Sequence, residues 1–162
     1  MAQSDFNWKD YHHQIYQIYH GMIALTLVPF ALLFLEWDSS VERVEVSYSS
    51  PHFILIAQLI WVVGFGCWYV WRGEKVRYIL DEEMTLLQKL KEFKQKNIYK
   101  YLILALAGFT SALAMWLQPS FIFVIAYFAV LIQYSFLRPS EDKIVRDMRL
   151  TKADRKKLHE MT

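Results

Sequence analysis

The sequence predicts an all-α, polytopic membrane protein with four transmembrane helices and additional amphipathic helices on the cytoplasmic side. Three observations favour this fold class. Four long apolar stretches, at about 15–35, 53–71, 99–117 and 121–137, contain no charged residue except Lys100 near the start of the third. The remaining charges lie between or beyond them. Hydrophobic residues make up 55% of the 162-residue chain, above the roughly 45–50% of soluble domains.

Each stretch has the length of a membrane-spanning helix. A hydrocarbon core of ~30 Å requires about 20 helical residues, within a range of about 17–25. A single Lys, Arg or Asp at the bilayer centre would cost about 2.5–3.5 kcal/mol. The segment 121–132 also lacks the polar stripe, repeating every three to four residues, of a helix at a water-exposed surface. We therefore expect lipid around all four segments.

Individual residues justify the spans in chain order. Pro29 lies inside the first and is expected to kink it. A three-residue connection, 118–120, predicts that the third and fourth spans form an antiparallel hairpin. Small side chains are expected to let the spans approach closely, and two glutamines are expected to hydrogen-bond between spans. These helix-packing residues are Gly64, Gly66, Gly108, Ala112, Gln58 and Gln133.

The distribution of basic residues predicts the orientation. The first connector, 36–52, holds several acidic residues against Arg43 alone, whereas the second, 72–100, and the tail from Arg138 are rich in Lys and Arg. Basic connectors stay on the cytoplasmic side. We therefore expect both termini and the middle connector in the cytoplasm, and the bacterial inner membrane as the location.

The cytoplasmic segments, 73–98 and 139–162, read as amphipathic helices. Asp81 is expected to begin the connector helix, and Ser140 and Thr151 to begin two tail helices. Glu83 falls on the apolar face of the connector, which makes it an interaction candidate. The basic face of the tail is expected to contact anionic lipid head groups or an acidic partner. Its residues are Arg146, Arg149, Lys152, Arg155, Lys156 and Lys157.

A run rich in His and Tyr, 11–21, leads into the first span and holds the only weak cofactor candidates, His13, His20 and Tyr19. Such side chains commonly anchor a span at head-group level. The alternatives are haem ligation, a metal site with Glu83, and a site that relays protons or binds a quinone. Haem and metal are disfavoured because no second embedded histidine and no nearby fixed ligand accompany His20.

No catalytic, metal or nucleotide motif stands out, and Cys67, the only cysteine, excludes an internal disulfide. Polar residues in the spans are few, and no acidic residue of the kind used by ion-coupled transporters lies there. We therefore expect a non-catalytic membrane subunit or scaffold of a larger inner-membrane complex, without cofactor, metal or nucleic acid. Its expected partners are the lipid bilayer, other membrane-protein subunits and anionic head groups. A small oligomeric transporter or channel is the alternative, and a redox- or quinone-associated subunit a second one.

Overall fold

The computed structural model describes the backbone of residues 7–39, 51–75, 85–117, 120–148 and 150. Every regular element in these ranges is a helix. The bounds are α1 Trp8–Ser39, α2 Pro51–Lys75, α3 Leu86–Leu117, α4 Phe121–Phe136 and α5 Glu141–Asp147. The part of the chain that the structure describes is therefore all-α, as the sequence predicts.

Side-chain caps begin the two longest helices. The Asn7 Oδ1 atom accepts from the Lys9 backbone N–H at 2.9 Å at the start of α1. At the start of α3, the Thr85 hydroxyl oxygen accepts from the Gln88 N–H at 3.4 Å, and the Gln88 Oε1 atom accepts from the Thr85 N–H at 3.0 Å. This reciprocal pair is a capping box. Asp81 and Glu83, expected near this helix start, lie outside the described residues.

Both α1 and α3 extend well before their apolar stretches. α1 is a single helix through Pro29 and begins seven residues before position 15. α3 is continuous from Leu86 to Leu117, so the later part of the predicted cytoplasmic connector and the predicted third span form one helix. The Glu92–Lys96 ion pair, at 3.5 Å, lies on this extension.

The helix α5 begins where the sequence predicts it. Ser140 is its N-cap, and the Ser140 Oγ atom accepts from the Lys143 N–H at 3.3 Å. The axes of α4 and α5 differ by 77°. The second predicted tail helix, from Thr151, lies outside the described residues.

The helices α1 and α3 run parallel. Their contacts ascend both helices together, from Tyr11 against Leu90 to Tyr19 against Tyr101, which are joined by a hydrogen bond and a ring contact respectively. Higher up, a side chain at Gly108 would meet the side chain of Thr26. α2 lies between them in the chain.

Two clusters of buried side chains show that α2 and α4 run the other way. One cluster, at the end where α1 begins, contains Val70 of α2 and Tyr134 of α4. The second cluster, called here the distal cluster, contains Phe123 of α4, with Leu59 of α2 packed against it. The predicted α3–α4 hairpin is therefore present. α3 is the central helix and packs against each of the other three long helices, whereas α1 and α2 hardly touch within the described residues.

Much of the exterior of the long helices is apolar. Large hydrophobic side chains are exposed on all four, including Leu32 on α1, Trp61 on α2, Leu113 on α3 and Phe128 on α4. α1 and α3 are each long and apolar enough to cross a bilayer, and α4 with α5 makes a third if the bent pair is taken as one broken span. The described side chains of α2, Leu59–Arg72, form a shorter apolar helix. Two to three helices are thus suited to a membrane.

Candidate functional site

Four tyrosines join α1, α3 and the end of α4, and they are called here the tyrosine cluster: Tyr11, Tyr19, Tyr101 and Tyr134. The Tyr19 ring makes edge contacts with the rings of Tyr101 and Tyr134, at centroid distances of 5.4 and 6.0 Å. All four side chains are buried. Aromatic pairs in this edge-to-face arrangement contribute about 0.5–1.5 kcal/mol beyond the area they bury.

Each hydroxyl of the tyrosine cluster donates to a backbone carbonyl on another helix or at its end. Tyr11 donates to the Leu90 carbonyl at 2.6 Å, and Tyr134 donates to the Tyr101 carbonyl at 2.9 Å. Tyr19 donates to the Tyr134 carbonyl at 2.9 Å. Buried tyrosine hydroxyls therefore have their partners inside the protein, and the cluster fixes the relative height of three helices.

The last carbonyls of α4 all receive donors. The Leu137 carbonyl accepts from the Tyr101 hydroxyl at 3.3 Å, and the Phe136 carbonyl accepts from the Lys143 ammonium. The backbone N–H groups of Leu137 and Arg138 donate to the carbonyls about one turn earlier. Helix ends leave such carbonyls without helical partners, and in lipid each unpaired group is costly. The end of α4 is thereby suited to the edge of a bilayer.

A second polar contact lies midway along the bundle. The Thr26 hydroxyl, fully buried, donates to the Ile23 carbonyl at 3.0 Å, and the Tyr127 hydroxyl is 3.3 Å away. A Cβ atom on Gly108 would come within 3.1 Å of the Thr26 Cβ atom. The absence of a side chain at Gly108 therefore lets α1 approach α3 at this point. One turn further along α1, the Phe30 ring stacks on the ring of the same Tyr127, at a centroid distance of 3.9 Å and an interplanar angle of 9°.

The structure assigns different surroundings to the residues predicted to pack helices. Gly108 and Ala112 lie buried on α3, facing α1 and the distal cluster. At Gly66 a Cβ atom would make ordinary contacts with α3, at 3.5 Å from the Ala107 Cβ atom. At Gly64 it would meet no described atom within 4 Å, so Gly64 faces outward. Gln133 is half-buried, and the side chain of its predicted partner Gln58 lies outside the described residues.

Gly64 lies within an exposed aromatic stripe on α2. The stripe is called here the aromatic face of α2 and consists of Trp61, Gly64, Phe65 and Trp68. Trp61 is 77% exposed and Phe65 60% exposed. The Phe65 and Trp68 rings are 5.7 Å apart, and the Arg72 guanidinium lies 5.3 Å from the Trp68 ring centroid. Large side chains at one-turn spacing thus surround a glycine that leaves open space.

The three cofactor candidates do not converge. Tyr19 is buried, and its hydroxyl is used in the tyrosine cluster. His20 is exposed, and its Nδ1–H donates to the Tyr16 carbonyl at 2.9 Å. His13 is exposed and lines a cleft that neither Tyr19 nor His20 lines. Within the described residues, no three His, Cys, Asp or Glu side chains are grouped so as to hold a metal ion.

The cleft beside His13 brings together residues that sequence reasoning did not combine. It has a volume of about 410 Å³ and is called here the α1–α5 cleft. Its lining comprises Lys9, Asp10, His12, His13 and Tyr16 of α1 with Glu141 of α5. Glu141 is far from α1 in the sequence. The 77° bend between α4 and α5 places it beside α1.

The basic tail is described only in part. Arg146 is exposed on α5, and its Nε atom lies 3.7 Å from the Asp147 carboxylate. Other residues of the basic face lie outside the described residues, as does Glu83: Arg149, Lys152, Arg155, Lys156 and Lys157. Their proposed contacts with lipid or partners stay predictions.

Three kinds of comparison address the identity of the chain. No protein-family model matches it, and neither a curated protein nor a solved structure does.

Proposed function

We propose that this protein is a four-span integral membrane subunit, a non-catalytic scaffold of a larger complex in the bacterial inner membrane. One observation carries the proposal. Large apolar side chains are exposed on all four long helices, whereas the buried polar side chains described above bond to helix backbones. An apolar exterior requires lipid or partner helices around it.

Helix dimensions support four spans rather than two or three. The 25 residues of α2 correspond to about 37 Å and the 16 residues of α4 to about 24 Å, at about 1.5 Å per residue. α4 is thus shorter than the ~30 Å hydrocarbon core, a mismatch that local bilayer thinning and flanking basic residues accommodate. Lys143, donating to the end of α4, is such a residue.

The charged side chains support an orientation with both termini in the cytoplasm. Lys9, Arg72, Lys96 and Arg138 all lie at the end of the molecule that holds the tyrosine cluster. At the distal end the one described charged side chain is Glu36. The basic end of a membrane protein faces the cytoplasm.

The hydroxyls in the spans favour a scaffold over a channel. Thr110 donates to the Leu106 carbonyl at 2.7 Å, and Ser111 donates to the Ala107 carbonyl at 3.1 Å. Both hydroxyls therefore satisfy their own helix. They are the residues that a pathway through the third span would have used.

The aromatic face of α2 is the surface proposed to bind a transmembrane helix of a partner subunit. Gly64 offers a notch in which a partner helix backbone can approach closely, and Trp61 and Phe65 offer large packing surfaces on either side.

Co-purification after mild solubilisation tests the proposal. We expect the wild-type protein to carry a stoichiometric membrane partner, identified by mass spectrometry, and Gly64→Leu to lose it. Because a Cβ atom at Gly64 meets no described atom, the substituted chain should insert and fold normally. Gly21→Leu is the matched control, since Gly21 on α1 is equally open.

Two results would contradict this assignment. A wild-type chain that is purified alone from its native membrane would overturn the subunit proposal. Retention of the partner by Gly64→Leu, or its equal loss from Gly21→Leu, would remove the partner from the aromatic face of α2.

A further inference from the structure

We propose that the α1–α5 cleft binds the phosphoethanolamine head group of a membrane phospholipid. The inference rests on the proposed membrane placement of α1 but needs no partner subunit. The cleft volume of about 410 Å³ falls within the range of about 300–1,000 Å³ typical of small-molecule sites.

The depth of the cleft matches the head-group layer. Its α1 residues run from Lys9 to Tyr16, and Lys9 to His13 precede the apolar stretch that starts at Ile15. At about 1.5 Å per residue, they lie about 3–9 Å beyond its start. A head-group layer is about 5–8 Å thick on each side of the hydrocarbon core. The cleft therefore opens where phospholipid head groups are densest.

The cleft carries groups of both charge signs. Lys9 offers an ammonium to a phosphate, whereas Asp10 and Glu141 offer two carboxylates to a cation. Within the phospholipid, the phosphoethanolamine head group contains a phosphodiester and a primary ammonium a few ångströms apart. Its ammonium donates up to three hydrogen bonds, which suits a pair of carboxylates.

His12 gives this cleft an unsatisfied polar atom. Its ring lies between those of Trp8 and Tyr16, each with a centroid 6.3 Å away. The His12 Nε2 atom is buried and has no hydrogen-bond partner among the described residues. Buried polar atoms in folded proteins usually have a partner. Because His12 lines the cleft, we expect a phosphate oxygen bound there to supply that partner.

Other common head groups fit less well. An anionic glycerol head group would bring a phosphate but no cation to Asp10 and Glu141. A choline head group brings a quaternary ammonium, which has no N–H to donate to a carboxylate. The two carboxylates therefore select for the primary amine, and Lys9 selects for the phosphate.

Binding to delipidated protein in detergent tests the site. Short-chain phosphatidylethanolamine, phosphatidylcholine, phosphatidylglycerol and free phosphoethanolamine are titrated separately, and bound lipid is counted by native mass spectrometry. We expect phosphatidylethanolamine to bind tightest and Glu141→Gln to weaken it about tenfold, because one charged acceptor is removed. Asp142→Asn is the matched control: it removes the neighbouring exposed first-turn acid of α5, which does not line the cleft, and should change affinity less than twofold.

A second substitution separates the two halves of the site. Lys9→Gln should weaken binding of every phosphate-bearing lipid, whereas Glu141→Gln should weaken only the ethanolamine lipid. Equal binding of phosphatidylglycerol and phosphatidylethanolamine, or an unchanged affinity in Glu141→Gln, would overturn the proposal. Saturation of the cleft by free phosphoethanolamine as tightly as by the lipid would overturn the assignment to a membrane lipid. None of these readouts depends on the partner-binding experiment.

Discussion

The helices α1 and α3 are alike in length and in apolar character but differ in how much of each is buried. Both are 32 residues long, both are apolar enough to cross a bilayer, and they run parallel. Yet 56% of the most apolar window of α3 is buried inside the protein and only 17% of that of α1. The apolar side chains of α3 thus serve mainly internal packing, whereas those of α1 mainly face outward.

Because so little of α1 is buried, one line of contacts holds it against the other helices, and this line is called here the α1 seam. Along it, contacts recur from the tyrosine cluster through Thr26 to Phe30. In lipid, apolar area by itself drives no association, because lipid tails are as apolar as the helix. Close packing and hydrogen bonds along the seam must therefore hold α1 in place, and substitutions there test the comparison directly.

The largest effect is expected from Phe30→Ala. It removes the ring that stacks on Tyr127 at 3.9 Å and opens a void in the distal cluster. We expect a loss of about 2–3 kcal/mol in the free energy of unfolding, near the lower bound of phenylalanine truncations in water-soluble cores. Titration with a denaturing detergent, followed by tryptophan fluorescence, measures it. Leu32→Ala, on the exposed side of α1, should change stability by less than about 0.5 kcal/mol.

Gly108→Leu should rank next. The new side chain would meet Thr26, whose Cβ atom is 3.1 Å from the position of an ideal Cβ at Gly108. Overpacking of this kind costs about 1–3 kcal/mol, and here it would separate α1 from α3. Gly64→Leu adds the same side chain without a described neighbour and should not destabilise the protein. Equal unfolding curves for the two variants would show that the seam does not pass through Gly108.

A smaller effect is expected from Tyr19→Phe. It removes the hydroxyl that donates to the Tyr134 carbonyl at 2.9 Å while keeping the ring contacts. Hydrogen bonds between helices in membranes average about 0.6 kcal/mol, so we expect a loss of that order in the same titration. Tyr99→Phe, at a surface position, is the control. A null result in Tyr19→Phe would leave ring packing as the only contribution of Tyr19.

The smallest effect should come from Gln14→Ala. The Lys94 ammonium donates to the Gln14 Oε1 atom at 2.7 Å, but both side chains reach the surface. Even exposed ion pairs are worth only about 0–1 kcal/mol, and here one partner is a neutral amide. We expect a loss of less than about 0.5 kcal/mol in the free energy of unfolding. A loss larger than that of Tyr19→Phe would mean that the polar first turns of α1, and not the tyrosine cluster, hold α1 in place.

The sequence was sufficient for the helical class, the Ser140 cap and the hairpin of the last two long helices, because apolar length and capping residues are local signals. It did not reveal the role of Tyr19. A tyrosine near a membrane edge reads alike whether its hydroxyl meets head groups or, as here, the Tyr134 carbonyl. Only the register between α1 and α4 decides which, and register depends on contacts distant in sequence.

The cleft illustrates the same limit. His13 was a candidate from local pattern, whereas His12 and Glu141 come together through the bend between α4 and α5. Likewise, hydropathy located the third span but not the start of α3, since the capping box of Thr85 and Gln88 lies far before the apolar stretch. A search for the Thr-x-x-Gln pattern in the sequence would have found that helix start.

The most direct test measures on which side of the membrane the two ends of the helix bundle lie, the end with the tyrosine cluster and the distal end. In a Cys67→Ala background, Glu36→Cys, Lys96→Cys and Arg138→Cys are each treated with a membrane-impermeant maleimide on intact cells whose outer membrane has been permeabilised. We predict labelling of Glu36→Cys from outside, and labelling of Lys96→Cys and Arg138→Cys only after the inner membrane is opened. Labelling of Glu36→Cys and Arg138→Cys from the same side would contradict the alternating four-span arrangement.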